Sequence, residues 1–73
     1  MVLILAGDFR QAQDAARALG LGEYGAAWRE VADEETAFRY RNPVVYTVGT
    51  AWDRPNYPMI RDALERQGAE FRG

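Results

Sequence analysis

Asp8 and Asp53 are the two carboxylates whose positions suggest chemistry. Each lies just beyond an apolar run that ends in glycine, residues 2–7 for the first and 44–49 for the second. Two aspartates at neighbouring strand ends could hold Mg²⁺, which accepts few protein ligands and keeps its waters. Arg54 offers a bidentate grip on a phosphate or carboxylate, and Trp52 a flat face for a base or an aliphatic stem. The stretch VGTAWDRPNYP, residues 48–58, thus gathers Trp52, Asp53, Arg54 and Tyr57. With Asp8 and Arg10 these form the primary candidate binding set, for a partner or a small anionic ligand. A structural account covers the same residues: glycine ends a strand, Pro55 stiffens the loop, Asp8 and Asn56 cap helices, and Trp52 covers a thin core. Two points favour that account over a phosphate site. Both aspartates would repel a phosphate, and GDFRQ lacks the G-x-G-x-x-G that lets a pyrophosphate approach.

The residues that are missing narrow the field further. The 73-residue chain has no Ser, Cys, His or Lys. Hydroxyl and thiol triads, Schiff-base chemistry and the P-loop are therefore closed to it. So are disulfides and the common zinc and haem ligand sets. Only Asp, Glu and Tyr remain for acid–base work, which argues against a self-contained enzyme, and no cofactor is called for. The net charge of -2 opposes a broad grip on nucleic acid. FRYRN, residues 38–42, interleaves arginine with aromatics, but Glu34 and Glu35 stand directly before it, and a solvated connection explains it better. No stretch approaches the ~20 apolar residues of a membrane span. MVLILA is too short for a signal segment and reads as a buried strand, so a soluble, intracellular chain is expected.

These residues must be positioned by alternating strands and helices. Residues 2–6 and 44–48 are near-continuous β-branched and aliphatic runs, suited to strands covered on both faces. After the first, Asp8 caps a helix in an Asp-x-x-Gln capping box with Gln11. Phe9, Ala12, Ala16 and Leu19 give that helix one apolar stripe, and Arg10 and Asp14 sit at pairing distance on its outer side. Gly20 ends it in the left-handed conformation, with Leu21 folding back. Residues 27–31 alternate as a second strand, Trp28 and Glu30 on one face, Arg29 and Val31 on the other. DEETAF is a single helical turn capped by Asp33. Asn56 caps the last helix, which buries Tyr57, Ile60, Ala63 and Leu64 and pairs Asp62 with Arg66. Residues 69–73 form a short edge strand or fray. The expected fold is a single α/β domain over residues 1–73. It has a small three- or four-stranded, mainly parallel sheet of order 2-1-3, two main helices and one short helical turn.

ARALGL, WREV and VVYTVGTAWDRPNYPMIRDALERQG together resemble the short α/β open reading frames common in actinobacterial phage genomes. The resemblance spans nearly the whole chain and carries no catalytic signature. It implies a phage accessory protein acting in a bacterial host cytoplasm or in the phage particle. The reading from the residues stands apart from that resemblance. Two Trp, four Tyr and three Phe are more than so small a core can bury. Exposed Trp, Tyr and Arg are enriched at interface hot spots. The leading expectation is an interaction module that forms a homo-oligomer or docks on a protein partner, with Trp28, Tyr40 and Arg41 as secondary interface residues. The alternative is a nucleotide- or phosphate-binding domain using the two loop-to-helix junctions.

Overall fold

Strand β1 (Val2–Leu5) opens the chain in the computed structural model, which describes residues 1–72. Helix α1 (Phe9–Ala18), strand β2 (Trp28–Glu30), the single turn α2 (Glu34–Ala37) and strand β3 (Val44–Thr47) follow. A 3₁₀ turn (Ala51–Asp53), helix α3 (Tyr57–Arg66) and strand β4 (Glu70–Arg72) complete it. Gly73, the end of the expected terminal segment, lies outside the described residues. The four strands form one parallel sheet in the order β2-β1-β3-β4. The 2-1-3 core of that order is the one expected from the two most apolar strands being central. The edge strand extends it by one. In β1, Val2 lies beside Trp28 on one side and Val44 on the other.

Alternation along the central strands divides the core in two. Leu3, Leu5 and Val45 point to the face covered by Ala37 of α2 and by Ile60, Ala63 and Leu64 of α3. Ile4 and Ala6 point to the opposite face, against Ala12 and Ala16 of α1 and the ring of Trp28. A sheet covered on both sides needs apolar residues at consecutive positions, which is why residues 3–6 are all buried.

Both long helices end in the same hydrogen-bonded reversal. Leu21 N–H reaches Ala16 O at 2.9 Å and Gly20 N–H reaches Arg17 O at 3.1 Å. At the end of α3, Ala69 N–H reaches Leu64 O and Gly68 N–H reaches Glu65 O, both at 3.0 Å. Two of the last carbonyls of each helix are thereby satisfied. The turn at Gly68 delivers the chain straight into β4, where Glu70 N–H donates to Pro43 O.

Several local expectations change. Only the middle of the α1 stripe is buried: Ala12 and Ala16 meet the sheet, while Phe9 is 42% and Leu19 43% exposed. Asp14 pairs with Arg17 at 4.0 Å, not with Arg10. The Asn56 side chain does not cap α3 but donates to Ala32 O at 3.1 Å, tying the start of α3 to the end of β2. Asp33 does cap α2, accepting from Thr36 N–H at 2.7 Å, and Asp62 does pair with Arg66, at 3.0 Å.

Candidate functional site

The strand order reverses at β1, so the crevice at the carboxyl ends of β1 and β3 is the natural ligand position of this architecture. Its walls are the loops after β1 and β3, and the chain's own side chains fill it. Gln11 enters from the first turn of α1. Its Oε1 accepts from Gly7 N–H at 2.8 Å and from Thr50 N–H at 3.0 Å. Its Nε2 donates to the Thr50 hydroxyl at 3.0 Å. The capping box is therefore displaced. Asp8 accepts from Gln11 N–H at 2.8 Å as expected, but the glutamine side chain reaches Gly7 and the distant Thr50 instead of the cap residue. Gly7 is required by this closeness, because a Cβ there would run into Thr50 Oγ1 and the Gln11 carboxamide.

Arg54 fills the other half. Its Nε–H donates to Ala6 O, and its Nη2 lies 3.5 Å from Glu30 Oε2. The two side chains are only 19% and 15% exposed. Burial raises the Glu30 pKa above its ordinary 4.5; the Arg54 guanidinium opposes this shift and the Asp8 carboxylate adds to it. Arg54 thus braces the end of β1 against β2, with one planar group donating to the carbonyl just past β1 and facing a mostly buried carboxylate. It does not project outward as an anion anchor.

The remaining candidates separate by environment. Trp52 is 57% exposed, its ring tilted at 42° to that of Tyr57 with centroids 6.1 Å apart. Tyr57 is half-buried and its Oη accepts from Arg61 Nη1 at 3.3 Å. Asp53 is exposed, Arg10 is exposed, and the exposed Asp8 is engaged as a cap. Among the described residues no cluster of three or more Asp or Glu could hold a metal ion. Trp28, expected at an interface, is instead core: it is 2% exposed and its indole N–H donates to Gly22 O at 3.1 Å. Phe9 stacks on it with 19° between the planes, and Tyr24 meets both rings edge-on. Tyr40 packs half-buried on the α2/α3 side of the core, and Arg41 is exposed.

Sequence reasoning missed three parts of this region. Glu30 carried a signal, because alternation puts it on the same face as the buried Trp28, and an inward carboxylate needs a cation. The Gln11–Thr50 contact joins positions far apart in the chain and had no local signal. The third is an open groove of about 230 Å³ between α1 and the loop before β2, lined by Gln13, Ala16, Arg17, Leu21, Tyr24 and Trp28. It is smaller than the roughly 300–1,000 Å³ of ordinary ligand pockets.

Comparison with known proteins gives no match: no family model, no curated protein and no solved structure aligns with the chain. Among the described residues no helix is long and apolar enough to cross a membrane.

Proposed function

We propose that this chain is a small protein-interaction module, and that the Trp52 face of the sheet's carboxyl end is a contact surface for a larger partner. One observation carries the reading. The crevice where this architecture takes small ligands is filled by Gln11 and Arg54, while Trp52 on its rim is 57% exposed. Met59, 51% exposed, and the neighbouring Pro55 and Pro58 add apolar area on the same segment. Aromatic side chains of this kind supply a large share of interface energy when a partner covers them. The lack of Ser, Cys, His and Lys side chains is consistent with binding in place of catalysis. The resemblance to actinobacterial phage proteins suggests an accessory role in a host cell or particle.

Two measurements test the reading. Immobilised wild-type chain captures a partner from a bacterial lysate, and Trp52→Ala loses it while its melting free energy stays within about 0.5 kcal/mol, as exposed substitutions do. Titration with inorganic phosphate or ATP leaves the Gly7 and Thr50 amide resonances in place. Saturable shifts at those amides would instead support the nucleotide- or phosphate-binding alternative, with Gln11 swinging out.

A further inference from the structure

We propose that β4 pairs with β4 of a second copy of this chain about a two-fold axis at Phe71, making one continuous eight-stranded sheet. This names a partner for the interaction reading above and rests on it. The argument starts from backbone direction. In a strand, the N–H and C=O of one residue point to the same side, and successive residues alternate. Glu70 N–H donates to Pro43 O, so Glu70 and Arg72 are the β4 residues turned towards β3. Phe71 therefore presents its N–H and C=O outward. The outer edge of β4 has no partner strand among the described residues.

An antiparallel pair centred on Phe71 satisfies both groups. Two residues directly opposite in a hydrogen-bonded pair exchange both N–H···O bonds, and a two-fold axis lets one residue be its own partner. The same register sets Glu70 across from Arg72 of the second copy, and Arg72 across from its Glu70. Both side chains are more than half exposed and already form an ion pair with each other along β4. An edge strand protected against self-pairing carries charges that clash when two copies meet. This edge carries one charge of each sign, symmetrically about its central residue, so two copies attract. On the other face the Phe71 rings lie beside the axis, each half-buried with the Arg61 guanidinium 3.9 Å above its centroid. The self-complementary charge pattern is why a second copy fits better than an unrelated strand.

The experiment uses the full chain at low salt, sedimented across a hundredfold concentration range, with hydrogen exchange at the Phe71 amide. The wild type is expected to shift from monomer to dimer, with Phe71 protected only in the dimer. Arg72→Glu and Glu70→Arg each create two like-charged pairs and should weaken the dimer roughly tenfold or more. An equimolar mixture of the two variants restores both attractive pairs and should recover a heterodimer. Far-UV circular dichroism checks that both variants fold. A wild type that stays monomeric throughout overturns this inference and leaves the lysate capture as the test of the broader reading. A dimer that survives both swaps also overturns it. If Trp52→Ala abolishes that surviving dimer, self-association belongs to the Trp52 face and the interaction reading stands without the β4 interface.

Discussion

Gln11 does work at a single position that usually needs several residues. Its carboxamide closes the gap between two strand ends, binding a main-chain amide on each side and a hydroxyl. Removing it leaves the partly buried Gly7 N–H without its acceptor, while water can reach the exposed Thr50 groups, so Gln11→Ala should lower stability by about 1 kcal/mol in denaturant melts. Glu30 carries a pH signature instead. Its folded carboxyl keeps a proton to higher pH than the unfolded chain, because burial outweighs the attraction of Arg54. That contribution favours the fold fully below 4.5 and is lost as pH rises from there through the raised folded value. Glu30→Gln should therefore gain on the wild type as pH is raised from about 4.5 to 7, read as the difference between their melting midpoints. Asp33 acts oppositely: the Thr36 amide holds its pKa below 3.8, so its stabilisation fades as pH falls through the folded value.

The elements obey local rules closely, and the exceptions have physical causes. Both helix ends turn through a glycine with positive φ, 70° at Gly20 and 75° at Gly68. Alanine at either site strains the backbone by about 1–2 kcal/mol. At Gly68 a Cβ would also collide with Asn42 Oδ1, whereas nothing lies near one at Gly20. Gly68→Ala should thus cost more than Gly20→Ala in matched thermal melts. Strand order was legible because VLILA and VVYTV have no polar face to turn towards water. The caps at Asp8 and Asp33 were legible because side chain and partner lie three residues apart. The role of Asn56 was not, because its partner Ala32 is distant in sequence. The same limit hid Arg54: as a loop arginine beside an exposed tryptophan it read as an anchor, and its partners Ala6 and Glu30 come from other strands. Trp28 read as an interface residue because aromatic composition says nothing about which rings the core takes.

At the scale of the whole molecule, one thin double-sided core does most of the stabilising. Leu3 is fully buried between β2, β3 and the α2/α3 layer. Leu3→Asp would strand a charge there at a cost of several kcal/mol. A small domain holds only about 5 kcal/mol or a little more, so the variant should show no cooperative melt. The parallel order has a further consequence, in time. The central strand precedes both of its neighbours in the chain, since Val2 pairs with Trp28 and with Val44. No hairpin shelters it meanwhile, because parallel neighbours require long connections. Translation at about 5–20 residues per second takes roughly 2–8 s to make the forty or so residues from Val2 to Val44. For those seconds the β3 edge of VLIL has no partner, and until Trp28–Glu30 is made neither edge has one, so the growing chain depends on slow, long-range pairing to cover it.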